Sequence, residues 1–288
     1  MDLSPTTLYK YFGPDRAAVL SNCLIRYSPL GAFNDPFEGR PEVTSLASAE
    51  SARESLKAIL PQEARSAYDK LPVQARTKLS YELWKKLVAH QLKSKESEIL
   101  QAIHGLTPTV QGLMTRKFDE LLGALCLSEV PDSLLMWSHY GASHAGFVLA
   151  FDARHPHFHE AKSLNDEFRH LRRVLYREAR PSATLADFDG VDIFLVKSGH
   201  WSYEREWRIF RALPDAEVII PEKPFDIHLF RFPPDAVQAV ILGARASAET
   251  MEAIVAAIRS SSALRHIRVK RARPDGSHFL LRITDEAI

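Results

Sequence analysis

The sequence predicts an α+β fold: a mixed sheet of short strands, with a helical segment inserted between the first two groups of motifs. Three observations carry this. Short apolar runs occur on both sides of one long helical stretch, that stretch (residues 45–122) is rich in Ala, Glu, Lys, Gln and Leu, and the strands are joined by irregular connections. A chain of 288 residues is long enough for one large core, since about three quarters of the unfolded surface is buried at this size. It is read as a single domain over 1–288, with 45–122 as a helical insertion or cap.

In chain order, Leu8-Tyr9-Lys10-Tyr11 suits a strand, Pro14 and Asp15 open a short helix, and Leu24-Ile25-Arg26-Tyr27 forms a second strand ending in the turn Ser28-Pro29-Leu30-Gly31. Within 45–122, Leu79, Leu83 and Leu87 fall at helical spacing, and Pro61, Pro72 and Pro108 are expected to divide the stretch into two to four helices. Ala124-Leu125-Cys126-Leu127-Ser128 reads as a buried strand, Pro131-Asp132-Ser133 starts a short helix that Gly141 stops, and Phe147-Val148-Leu149-Ala150-Phe151 is another strand. Val174-Leu175-Tyr176 is a strand, Pro181-Ser182 can start a helix, and 191–197 reads as a buried helical segment. Strands are expected over 201–211, 218–220 and 237–242, a helix over 248–258, and closing strands over 267–269 and 279–283 around Pro274-Asp275-Gly276.

The charges, 37 basic against 36 acidic, leave a net +1, which argues against a nucleic-acid coat or a polybasic membrane binder. Cys23 and Cys126 are too few for a disulfide scaffold or a zinc finger, so a cytoplasmic location is expected. No apolar run approaches the roughly 20 residues of a membrane span, and Met1-Asp2-Leu3-Ser4-Pro5 lacks the pattern of a secretory leader.

Three segments concentrate polar, aromatic and ionisable residues. The first joins Tyr9-Lys10-Tyr11 to Phe33-Asn34-Asp35-Pro36-Phe37-Glu38; Asn34-Asp35-Pro36 is good turn chemistry, and Asn34, Asp35 and Glu38 could also face a polar ligand. In the second, Trp137, His139, Tyr140, Ser143 and His144 crowd one short stretch, with imidazoles suited to acid–base work or to binding hydroxyls and phosphates. The third runs from Lys197 to Phe210. Read as a strand, it places Trp201, Tyr203, Arg205 and Trp207 on one face and Glu204, Glu206 and Arg208 on the other. Two carboxylates then share a face with a guanidinium, an arrangement that tunes a carboxylate. Read as a helix, Glu204 and Arg208 are an ordinary i,i+4 pair. His155, His157 and His159 around Pro156 read as an exposed loop, and Cys126 as a small buried thiol.

These motifs carry a resemblance. Leu8-Tyr9-Lys10-Tyr11, Phe33-Asn34-Asp35-Pro36-Phe37-Glu38, Cys126-Leu127-Ser128-Glu129 leading to Met136-Trp137-Ser138-His139-Tyr140 and His144-Ala145-Gly146-Phe147, then Trp201-Ser202-Tyr203-Glu204-Arg205-Glu206-Trp207-Arg208 and Val240-Ile241-Leu242-Gly243, resemble the ordered motifs of the bacterial family called domain of unknown function 2971. More distantly, the early strand with a polar-aromatic motif and the late Glu-x-Glu are similar to ADP-ribosyltransferase-like domains. That similarity implies a nucleotide- or NAD-binding enzyme with NAD as co-substrate, in which a late-strand Glu, here Glu204 or Glu206, stabilises an oxocarbenium-like state. His139 and Tyr140 join the two glutamates as catalytic candidates, with Tyr140 or Trp137 as the stacking aromatic. Tyr9, Lys10, Asn34, Asp35, Glu38, Trp137, His144 and Arg208 are the substrate-binding candidates. Where those domains have Arg or His early, this chain has Tyr9-Lys10-Tyr11.

The expected partner is a nucleotide-like small molecule, with no membrane, no assigned metal, and a nucleic-acid or protein acceptor left open. Two other readings stand beside this one: a metal-dependent hydrolase or nuclease using Asp35, Glu38, His139, His144 and Glu204, and a non-catalytic regulatory module in which Trp137, Tyr203 and Trp207 form a core.

Overall fold

A computed structural model describes residues 5–188 and 190–287; residues 1–4, most of the segment read for a leader, lie outside them. The elements are β1 (Thr7–Phe12), α1 (Ala18–Asn22), β2 (Leu24–Pro29), β3 (Glu42–Val43), α2 (Ala49–Asp69), α3 (Val73–Lys78), α4 (Tyr81–Ser94) and α5 (Glu96–Leu121), then β4 (Leu122–Ser128), α6 (Leu134–Tyr140), β5 (Phe147–Asp152), β6 (Arg172–Arg173), β7 (Leu175–Arg177), β8 (Ser182–Ala183), β9 (Val196–Ser198) and β10 (Glu206–Ala212), then β11 (Val218–Ile220), β12 (Ile227–Arg231), β13 (Val237–Leu242), α7 (Ala248–Ser260), β14 (Arg268–Pro274) and β15 (Leu281–Asp285). The fold is α+β, as the sequence predicts. Two compact units divide the chain: a sheet unit of 5–40, 117–180 and 190–287, and a helical unit of 41–116 with 181–188.

In the sheet unit the strand order is β11-β12-β2-β4-β1-β5-β13-β14-β15, with β10 on β4 and β6 on β10. The β13–β14 pair is parallel, joined by α7; the other pairs of this sheet are antiparallel. Period two sorts each central strand between two buried faces. Phe147, Leu149 and Phe151 of β5, Leu125 and Leu127 of β4, Ile209 of β10 and Val240 and Leu242 of β13 share one core with Val19 and Leu20 of α1 and Ile254 and Ile258 of α7. Each such side chain stabilises the fold by roughly 1.5–3 kcal/mol. On the opposite face Val148 and Ile241 pack with Met136 and Trp137 of α6, while Ala124 and Phe210 pack with Leu30, Phe194 and Leu195.

One edge of β4 is forked. Ser128 pairs with Tyr9 of β1, and Ala124 and Gly123 pair with Ser28 and Pro29 of β2, so the register leaves Leu125, Cys126 and Leu127 without a strand partner on that side. β1 turns away to pair with β5 along its whole length. The gap between β1 and β2 is where the polar motifs converge.

The helical unit differs from expectation at its prolines. Pro72 stands before α3, but Pro61 lies inside α2 and Pro108 inside α5. Both are exposed, so the carbonyls they leave unbonded face water, and long helices tolerate the loss. Ser48 and Ser80 cap α2 and α4, their Oγ atoms accepting from the Ser51 and Leu83 amides. Pro181-Ser182 starts a strand instead of a helix, because the Pro181 and Ala183 carbonyls accept from the Glu42 and Thr44 amides. In the sheet unit, 191–197 is a 3-10 turn, Asp192–Phe194, followed by β9; its backbone pairs with β7, Tyr176 opposite Lys197. β12 is a strand the sequence reading did not anticipate.

Candidate functional site

The third motif departs from the expected strand over 201–211. Gly199–Glu204 is a 3-10 stretch, Arg205 takes a left-handed backbone conformation (φ 45°), and β10 starts only at Glu206. Tertiary bonds hold this geometry against the aromatic strand preference: Ser128 Oγ donates to the Glu204 carbonyl at 2.6 Å, and the Glu129 amide donates to the Arg205 carbonyl at 3.1 Å. Trp201, Tyr203 and Arg205 therefore do not alternate with Trp207. Glu206 and Arg208 do share a face, opposite Ser128 and Cys126 of β4, and Glu204 reaches the same place from the turn.

Lys197 of β9 is at the centre. Its Nζ lies 2.6 Å from Glu204, 3.0 Å from Glu206 and 3.4 Å from Glu38. Arg208, fully buried, grips Glu206 from Nε and Nη2 at 2.7 and 3.0 Å, pairs with Glu38, and donates from Nη1 to the Phe194 carbonyl at 2.6 Å. On the other side, the Tyr140 hydroxyl donates to Glu204 Oε1 at 2.7 Å and receives a long hydrogen bond, 3.5 Å, from Asn34. Buried charges of this kind persist only when paired and hydrogen-bonded.

The electrostatics follow from burial and neighbours. Burial works against the Lys197 ammonium, but Glu206 and Glu204 outweigh it and hold its pKa above the ordinary lysine value. Burial pushes the Glu206 carboxyl up, Lys197 opposes it and Glu204 reinforces it. Burial and the Glu204 charge raise Tyr140, keeping it a hydrogen-bond donor.

This network borders a cavity of about 190 Å³ at the fork of β4. Its wall includes Tyr9, Lys10 and Tyr11 of β1, Ser28 of β2, Phe33, Asn34 and Glu38 of the following turn, Cys126 and Ser128 of β4, Met136 and Tyr140 one helical turn apart on α6, and Lys197, Glu204 and Glu206. The Lys10 Nζ donates to the Cys126 carbonyl at 3.0 Å, a group the forked ladder leaves without a strand partner. Burial and Glu206 raise the Cys126 thiol well above its ordinary pKa, so it is not primed as a nucleophile.

Of the sequence candidates, Tyr9, Lys10, Asn34, Glu38, Tyr140, Glu204 and Glu206 meet at this cavity, and five do not line it. Trp137 is fully buried, donating Nε1 to the Pro131 carbonyl at 2.8 Å and meeting Tyr11 edge-on, so it is core and not a stacking platform. His139 is exposed on α6, beside Tyr140, Trp201 and Tyr203. His144 lies in a turn where Ala142, Ser143 and His144 all have positive φ (48°, 53° and 71°), and it borders a different cavity with Arg245 and Asp275. Burial and then the Arg245 charge lower its pKa. Asp35 is buried and turned onto its own loop, accepting from the Phe37 amide at 2.9 Å. Arg208 lies behind Glu206, as a support.

Among the described residues no three His, Cys, Asp or Glu side chains are grouped to hold a metal ion. The set Asp35, Glu38, His139, His144 and Glu204 is accordingly not assembled, and Lys197 occupies the place between the glutamates where a cation would sit. His157 is buried, contrary to the exposed-loop reading, packed edge-on against Phe158. Lys197 is not among the site residues the sequence suggests; its signal is an ionisable residue ending the apolar run 193–196. No helix among the described residues is long and apolar enough to cross a membrane.

No curated protein and no solved structure is matched by the chain. A family model described as Protein of unknown function (DUF2971) matches residues 136–209, which contain Tyr140, Lys197, Glu204, Glu206 and Arg208, while the first motif lies outside the match. The similarity to that family thus coincides with the part of the site that carries Glu204, Glu206, Lys197 and Arg208, and leaves out Glu38.

Proposed function

We propose that the cavity is the ligand and reaction site of a glycosyl-transfer enzyme acting on a nucleotide-like or NAD-like substrate, with Glu204 as the carboxylate facing the sugar carbon. When the bond from that carbon to its leaving group breaks, the leaving group keeps the electron pair and positive charge grows on the ring, until the oxygen of a water or an acceptor hydroxyl gives a pair to the same carbon and releases its proton. A carboxylate fixed in advance stabilises that charge without having to reorganise. The observation that carries the reading is the placement of Glu204: on the cavity wall, Oε1 fixed by Tyr140 and Oε2 by Lys197.

The other candidates divide around it. Glu206 also borders the cavity, but two cations, Arg208 and Lys197, hold its oxygens, where Glu204 is held by one cation and a neutral hydroxyl. Glu206 is the more fully neutralised of the two and positions Lys197 and through it Glu204. His139 and Trp137 have no role in this reading; Tyr9 and Phe33 supply the aromatic surface at the cavity. Its 190 Å³ is below the roughly 300–1,000 Å³ of sites that enclose whole drug-sized ligands. The cavity takes the reacting end of such a substrate, and the rest extends outward.

The test is incubation with NAD labelled in the nicotinamide ring, following release of nicotinamide, for the wild type and Glu204→Gln. The expected result is release by the wild type and a loss on the order of 10²-fold in the variant. Absence of both nicotinamide release and a ligand-induced melting shift in the wild type would contradict the reading.

A further inference from the structure

The charges around the cavity are not evenly compensated. Lys197 and Arg208 are each in contact with carboxylates. Lys10 is not: its ammonium is in the fork of the sheet, on the cavity wall, and donates to a backbone carbonyl. Among the described residues no carboxylate stands within 4.0 Å of it.

A second cation adds to this imbalance. Arg26 of β2 stands two residues before the cavity-lining Ser28, on the same face of the strand. Its Nε is buried without a hydrogen-bond partner among the described residues, and an unpaired buried guanidinium donor is costly to keep. Burial lowers the Lys10 pKa; Cys126, Glu206 and Glu204 oppose that from beyond contact distance, and Arg26 adds to it. Burial, and then Arg16, lower Arg26. A lysine on the cavity wall with no carboxylate in contact among the described residues, near a guanidinium whose buried Nε has no partner among them, is a place prepared for an anion.

We infer that the ligand is phosphorylated, and that its phosphate is seated on the Lys10 ammonium with the Arg26 guanidinium as the second donor. This rests on the reading of the cavity as the ligand site, and it makes the substrate dipolar: a sugar ring toward Glu204 and a phosphate toward the fork between β1 and β2. A phosphate suits the place better than a carboxylate because it carries up to two charges and three terminal acceptor oxygens, enough for both cations.

Isothermal titration of ribose 5-phosphate, ribose and ribonate into the wild type, Lys10→Met and Arg26→Met tests the assignment. The expected result is wild-type affinity for ribose 5-phosphate at least about tenfold above that for ribose or ribonate, with each variant bringing ribose 5-phosphate down about tenfold or more and leaving ribose unchanged. Raising salt from 50 to 500 mM in the wild type, a measurement that needs no variant to fold, should weaken ribose 5-phosphate and leave uncharged ribose unchanged. Equal binding of ribose and ribose 5-phosphate would overturn the phosphate seat and leave the cavity reading standing. Preference for ribonate would overturn it in favour of a carboxylate. Binding of neither sugar would overturn it too, and the nicotinamide-release measurement then decides separately whether Glu204 is catalytic.

Discussion

The two units of this chain treat charge in opposite ways. In the helical unit the ion pairs Arg65–Asp69, at 3.2 Å, and Lys95–Glu98, at 3.9 Å, stand with about half or more of each side chain in water. Its buried side chains are few and small, Ala52, Ala64 and Thr107, while Leu83 and Leu87 stay half exposed. In the sheet unit Lys197, Glu38, Glu204, Glu206 and Arg208 are all buried. Exposed pairs contribute little, whereas a buried network survives only if every member is answered. A buried polar network is therefore the costlier construction, and its location at a cavity is why function is sought there.

The comparison breaks most visibly at Lys197. Lys197→Met removes one cation from three carboxylates, and urea denaturation should show a loss of about 3–5 kcal/mol. A loss below about 1 kcal/mol would mean that the glutamates are not held by charge. His157 offers a second contrast. Burial, and then the Arg211 charge, pull its pKa down to about 4, with Glu160 opposing and His155 adding to the shift. The folded state therefore keeps His157 neutral while the unfolded chain takes up a proton, so stability present at neutral pH is lost as pH falls from about 6.5 toward 4. The expected loss is about 2–3 kcal/mol. His157→Gln should flatten that decline, and His90→Gln on exposed α4 should leave it in place. A decline identical in all three proteins would remove His157 from the account.

Smaller effects sharpen the same contrast. Tyr140→Phe deletes the hydroxyl on Glu204 Oε1 and should cost about 1–2 kcal/mol; no change in the thermal midpoint would mean that this hydrogen bond does not stabilise the fold. Lys95→Met, which removes an exposed pair, should stay within about 0.5 kcal/mol of the wild type by the same denaturation measurement. A larger loss would show that the helical unit depends on its surface charges.

How much of this was legible depended on whether the signal was local. β1, β2, β4, β5 and β13 could be read because short apolar or aromatic runs bounded by turn residues report a strand directly. β12 escapes the sequence reading because it has only three apolar positions, Ile227, Leu229 and Phe230, broken by His228 and flanked by Asp226 and Arg231; pairing with β2 makes it a strand. The strand start at Glu206 was misplaced because the Arg205 turn is held by bonds from Ser128 and Glu129, more than 70 residues earlier. Glu204, Glu206, Tyr140, Asn34 and Glu38 stood out as charges and hydroxyls beside aromatics. Lys197 did not, since its meaning comes from three glutamates that only the folded sheet brings around it.

The central claim is that Glu204 is held for chemistry while Lys197 and Arg208 do the holding. A single pair of measurements on Glu204→Gln, unfolding free energy and nicotinamide release from NAD, tests it most directly. The account predicts stability within about 1 kcal/mol of the wild type, since Lys197 keeps Glu38 and Glu206 as partners, together with the loss of release. A loss of stability as large as that of Lys197→Met with release unchanged would contradict it.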